Sequence, residues 1–226
     1  MPRIKDWGEE MNFFTFGAME RIKKDHYLIR LDKLVDWGSI GKLLRGIHIN
    51  EENSKGGPKA YNNVSMFKAL LLGQWHNLSD LALEDALRLR LDFMIFTGFE
   101  MMDEIPDETT LCRFRNKLVD KGLYDVIFRD VNRQLEKHGI KVKQAEAALV
   151  DATIVLSAAR PRQTIEENGE VQRSSDKEAR WVKKGNKSYF GYRGYAIADA
   201  EKGFIQHIQV RPANESEIKQ IDLLHN

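Results

Sequence analysis

Between Val64 and Gly139 the apolar positions recur three and four residues apart, and each recurrence closes at a residue that stops a helix. In "SMFKALLLGQWHNL" the residues Met66, Phe67, Leu70, Leu71 and Trp75 make a dense apolar face, Ser65 is placed to cap it, and Gly73 interrupts it. "LSDLALEDALRLRLDF" opens on Ser79 or Asp80 as N-cap and lines one face with Leu81, Leu83, Ala86 and Leu87, with Glu84 among them. "IPDETTLCRFRNKLVDKG" begins with Pro106 and Asp107, carries Leu111, Phe114 and Leu118 in one stripe, and ends at Gly122. "LYDVIFRDVNRQLEKHG" spaces Ile127, Val131 and Leu135 by one turn and stops at Gly139. Residues 64–139 are therefore predicted to be a helical domain.

On either side the pattern differs. Upstream, "HYLIRLDKLVDWGSIGKLL" predicts one helical region, with Leu28, Leu31, Leu34 and Val35 at helical spacing. The Asn-, Ser-, Gly- and Pro-rich "INEENSKGGPKAYNN" after it predicts a loop. Past Lys143 the period shortens to that of strands. "AALVDATIVLSAA" is a β-rich apolar run with Asp151 in its middle, and residues 160–187 are polar and turn-prone, which predicts a long loop. "YFGYRGYAIADAEKGFIQHIQV" predicts a hairpin around the turn "DAEKG". "PANESEIKQIDLLH" starts a helix, with Glu215 and Glu217 in its first turn and Ile218, Ile221 and Leu224 on one side. The expectation is an α+β chain in three parts: an N-terminal arm, helix and loop over 1–62, a helical domain over 63–142, and a sheet domain over 143–226.

Charge narrows the function classes. Lys and Arg (35) nearly balance Asp and Glu (34) in the 226 residues, so contact with nucleic acid has to come from local patches. One cysteine, Cys112, excludes a disulfide framework or a Cys-rich zinc module. No apolar run approaches the ~20 residues of a membrane span, and no basic-then-apolar leader opens the chain, so it reads as soluble and cytoplasmic. The six histidines show no HxxxH or HExxH spacing.

Three constellations remain. Asp151, flanked by Val150 and Ala152, would be costly to bury alone. It reads equally as a metal-holding carboxylate on a strand or as a cap at the end of a shorter one. Between Glu178 and Asp199 no acidic residue occurs, whereas Arg180, Lys183, Lys184, Lys187 and Arg193 do, interleaved with Trp181, Tyr189, Phe190, Tyr192 and Tyr195. Cations neutralise phosphates and aromatic faces stack on bases. The three lysines read as phosphate contacts, and most of the aromatics as half-buried strand residues. Finally, the helices over 80–90 and 108–119 resemble a helix-turn-helix pair. Arg113, Arg115 and Lys117 lie off the apolar stripe and so are expected to face outward, although the linker is long for that motif.

The blocks "SMFKALLLGQWHNLSD", "IPDETTLCRFRNKL", "GIKVKQAEAALVDATIV", "DKEARWVKKGNKSYFGYRGYAIAD" and "VRPANESEIK" resemble, in order, those of transposases of the family-five bacterial insertion sequences, within the DDE class. The resemblance implies a helical DNA-binding and assembly region, then a ribonuclease-H-like domain in which Asp, Asp and Glu hold Mg²⁺. It matches Asp151 to the first catalytic, metal-holding aspartate and Lys183, Lys184 and Lys187 to a basic stretch that grips the transposon end. The implied partners are double-stranded DNA, both terminal inverted repeats and target, and further copies of the chain. In the family the second aspartate and the glutamate follow the "PAN" block, and Asp199 precedes it. The chain is thus expected to hold the first half of the catalytic domain and to be inactive alone. The alternatives are a DNA-binding remnant that competes with the intact enzyme, and an interaction protein that only forms mixed oligomers.

Overall fold

Seven helices precede six strands among the residues that the computed structural model describes: 17, 20–22, 24–47, 60–140, 148–159, 164–165, 171–172, 176–199 and 203–215, with the backbone alone at 148–151, 164–165, 171–172 and 199. The helices are α1 (Tyr27–Leu34), α2 (Trp37–Leu43), α3 (Asn63–Trp75), α4 (Asp80–Leu89), α5 (Leu91–Thr97), α6 (Glu108–Asp120) and α7 (Leu123–Lys137). The strands are β1 (Ala148–Leu156), β2 (Thr164–Ile165), β3 (Val171–Gln172), β4 (Arg180–Lys184), β5 (Lys187–Asp199) and β6 (Ile205–Pro212). The chain divides into two compact units, residues 1–137 and 138–226.

Side-chain caps set where the helices begin. Asn62 Oδ1 accepts from the amides of Val64 at 2.8 Å and Ser65 at 3.3 Å, so the cap of α3 is Asn62, and Ser65 is buried inside the helix. Ser79 caps α4 through the Ala82 amide, and Asp107 caps α6 through the Thr110 amide. The single helix expected over 26–44 is two: Val35 is extended, and Asp36 then caps α2 by accepting from the Ser39 amide. The short apolar run after α4 is itself a helix, α5, closed by Gly98 at φ +78°.

One core joins these helices. Leu28, Ile40 and Leu44 from α1 and α2 and the turn after it cluster with Phe67 and Leu72 of α3, Leu83 and Leu87 of α4, and Phe93 of α5. Leu111, Phe114 and Leu118 of α6, the stripe read from the sequence, and Ile127 of α7 complete the cluster. Fully burying such a side chain contributes about 1.5–3 kcal/mol. Helices α1 and α2 therefore pack in the same compact unit as 63–137. Leu81 and Trp75, placed on apolar faces by their spacing, are exposed instead. Gly73 is where α4 comes close: a Cβ there would stand 3.0 Å from Leu83 Cδ2, and Leu83 is itself buried.

A buried polar network ties α2 to α7. Gln134 Oε1 accepts from the Asp36 amide at 2.8 Å, and Gln134 Nε2 donates to Asp130 Oδ2 at 2.8 Å and to the Asp36 carbonyl at 3.4 Å. Burial raises the Asp130 pKa, but bonds from Gln134, Ser39 and Arg133 outweigh it and leave the carboxyl below its ordinary value.

In the second unit β5 is the long strand on which the others assemble. β1 pairs with it antiparallel from Ala148↔Asp199 to Leu156↔Gly191, and β6 pairs antiparallel from Tyr192↔Pro212 to Ala198↔Ile205 with a bulge at Ile197/Ala198. Both use the same stretch of β5, so they occupy opposite edges of it. β4 pairs with the leading end, Arg180↔Gly191 to Lys184↔Lys187, and β2 with β3 form a separate two-residue ladder. Arg180–Lys184, expected within a long loop, is thus a strand. The hairpin expected between β5 and β6 is present. The loop read over 49–63 lies outside the described residues up to position 59, and so does the C-terminal helix from position 216 onward.

Candidate nucleic-acid interface

Eight basic side chains were singled out by the sequence, and the fold treats them differently. Arg113 is exposed on α6. Arg115, two positions on, is committed: Nη1 donates to Asp80 Oδ2 at 3.0 Å, and Nη2 pairs with Asp80 Oδ1. A bidentate guanidinium–carboxylate pair fixes both planes, so Arg115, expected to face outward, braces α6 against the start of α4 while a third of its side chain stays in solvent. Glu84 makes a second brace between the same helices, since its Oε2 accepts from the Glu108 amide at 3.0 Å at the N-terminus of α6. Lys117 lies in the last turn of α6 and is half-buried.

In the sheet unit, Arg180 Nη1 donates to the carbonyls of Lys177 at 2.7 Å and Ala179 at 2.9 Å. Arg193 Nη1 donates to the Glu215 carbonyl at 3.4 Å, and Tyr195 Oη donates to the same oxygen at 3.1 Å. Lys183, Lys184 and Lys187 are all exposed, and the hairpin register brings them together: Lys183 opposes Ser188 and Lys184 opposes Lys187 across the Gly185–Asn186 turn. The tip of this two-stranded ribbon thus carries three exposed cations, Lys184 and Lys187 on one face and Lys183 on the other.

What holds this hairpin is a residue that the sequence pattern does not single out. Asp176 precedes β4, and its Oδ2 accepts from Ser157 Oγ at 2.5 Å while Oδ1 accepts from Tyr192 Oη at 2.5 Å. The same Oδ1 also accepts from the amides of Ala179 at 3.0 Å and Glu178 at 3.3 Å. These bonds, that from Ser157 foremost and then that from Tyr192, hold the Asp176 carboxyl down at about 2. The bond to Asp176 pushes the Tyr192 hydroxyl up to about 12. The end of β1, the approach to β4 and the middle of β5 are thereby tied at one carboxylate. Only the turn-prone composition before β4 hinted at it, because Ser157 and Tyr192 become its neighbours through strand register.

Asp151 sits in β1 at the register position opposite Ala196. That places it in the first strand of the sheet, in an edge-to-edge ladder with β5. Among the described residues no three His, Cys, Asp or Glu side chains converge to hold a metal ion. Among the described residues no helix is long and apolar enough to cross a membrane.

Residues 17–117, which span α1 to most of α6, match the family described as "Transposase domain (DUF772)". Over that stretch the chain is similar to a transposase domain, which supports reading the protein as a transposase. No solved structure matches the chain.

Proposed function

We propose that the protein acts in DNA transposition as an insertion-sequence transposase of the DDE class, with the helical unit engaging transposon ends and the sheet unit contributing to a ribonuclease-H-like catalytic domain. The observation that carries this reading is the order of parts: a stretch similar to a transposase domain is followed by a sheet whose first strand contains Asp151. Asp151 is the first carboxylate of the set in this reading, and the second aspartate and the glutamate, which follow the "PAN" block in the family, are not assigned to any residue of this chain. Mg²⁺ held by such a set supplies Lewis-acid stabilisation of the attacking and leaving oxygens of a phosphodiester. The chain's own part is to grip DNA, with Lys183, Lys184 and Lys187 on phosphates and Arg113 on the exposed face of α6 toward the duplex.

The test uses the DNA that flanks this gene. The purified chain should retain fragments carrying the element's ends over unrelated fragments of equal length. In the enzyme with its full carboxylate set, Asp151→Asn should abolish Mg²⁺-dependent strand cleavage and leave end binding unchanged. Cleavage that survives Asp151→Asn would remove Asp151 from the site. End binding with no cleavage by any form of the protein would favour the competing reading, a DNA-binding remnant that blocks intact transposase.

A further inference from the structure

β1 and β6 stop pairing with β5 at Gly191 and Tyr192, but β4 and the start of β5 continue past them as a two-stranded arm. Every residue from Lys183 to Ser188 on this arm is exposed. Strand alternation and the register put Trp181, Lys183, Ser188 and Phe190 on one face, and Lys184 and Lys187 on the other. Trp181 leaves 54% of its surface in solvent. Its ring is braced by Phe190, with centroids 5.4 Å apart. Lys183 stands two residues along the same face, a rise of about 6.6 Å.

A braced, half-exposed indole within one nucleotide's reach of a lysine fits a particular ligand. A base offers it a flat π-face, while the adjoining phosphate takes the ammonium. Bases inside a duplex are already stacked on each other and cannot accept the ring. Resting on the transposase reading above, we infer that the β4–β5 arm holds unpaired nucleotides of a DNA strand, such as those beside a strand end. Trp181 stacks on the base, Lys183 meets the flanking phosphate, and Lys184 and Lys187 meet phosphates on the arm's other side.

The experiment measures binding of the full chain to three probes: a blunt duplex, the same duplex with a short single-stranded overhang, and that overhang built of abasic sites. The wild-type chain should bind the natural overhang about tenfold more tightly than the abasic one. Trp181→Ala should erase that difference and leave blunt-duplex affinity unchanged, and Trp181→Phe should keep part of it. If the wild type binds blunt DNA but shows no preference for bases in the overhang, the inference fails and the transposase reading stands. It fails in the same way if Trp181→Ala keeps the full preference. If the folded chain, verified by circular dichroism, binds none of the probes, both fail together.

Discussion

Asp176 accepts bonds from Ser157, Tyr192 and two backbone amides, and its charge state therefore governs the local order of the hairpin. Its folded pKa of about 2 lies below the ordinary 3.8, so the stabilisation is fully present above about pH 4 and is lost as pH falls through about 2. Tyr192 runs the other way. With a folded value of about 12 against an ordinary 10.0, its contribution is complete below about pH 10 and is lost as pH rises through about 12. Amide chemical shifts of Ser157, Ala179 and Tyr192 should accordingly stay constant from about pH 4 to about pH 10. Asp176→Asn should remove the acid transition, and an unchanged acid transition in that variant would assign it to another group. At Arg115 the expected effect is on stability. Arg115→Gln unpairs Asp80 and should cost about 1 kcal/mol in denaturant unfolding while leaving the salt dependence of DNA binding as it was. A flatter salt slope would return Arg115 to the DNA surface.

At the level of elements, what the sequence revealed depended on whether the signal was local. The cap Asp107, the stripe Leu111–Phe114–Leu118 and the stop at Gly122 all lie within one helix, and α6 runs where they predicted. Two positions resisted for different reasons. Val35 and Asp36 break the first helical region because Asp36 both caps α2 and has its amide bonded by Gln134, 98 positions away. β4 resisted because its Arg–Trp–Val–Lys–Lys run has the polarity of a loop, and only pairing with β5 makes it a strand. The same nonlocality fixes Gly191, where the ends of β1, β4 and β6 meet on β5. A Cβ there would stand 2.1 Å from the Val155 carbonyl oxygen and 2.7 Å from the Ser157 nitrogen. Gly191→Ala should therefore separate the arm from the sheet, with a loss of stability well above the ~1–3 kcal/mol typical of overpacking at flexible side chains. Gly73→Ala offers a milder comparison. Its gain in helix propensity of about 1 kcal/mol opposes a 3.0 Å approach to a buried leucine, and the net change should be a modest loss. Hydrogen exchange would separate the two, with Gly191→Ala raising exchange across β1, β4 and β5 and Gly73→Ala raising it only in α3 and α4.

For the molecule as a whole, a formal net charge of +1 leaves little long-range attraction for DNA, so binding has to rest on where the cations stand. This separates a local grip from a general electrostatic effect. Replacing Lys183, Lys184 and Lys187 by Ala takes the formal charge from +1 to −2. Replacing Lys24, Lys33 and Lys42 by Ala, all exposed in the helical unit, takes it to the same value. A cation that no longer neutralises its phosphate shallows the slope of log affinity against log salt by about 0.9. The hairpin variant should therefore flatten that slope by up to about 2.7, whereas the control should keep the wild-type slope and forfeit only the small uniform attraction that three distant charges supply. Equal slopes in the two variants would mean that net charge alone attracts the DNA, and the hairpin would cease to be its binding site. A greater flattening in the control would move the phosphate-binding cations to the helical unit, with Arg113 as the first residue to test there.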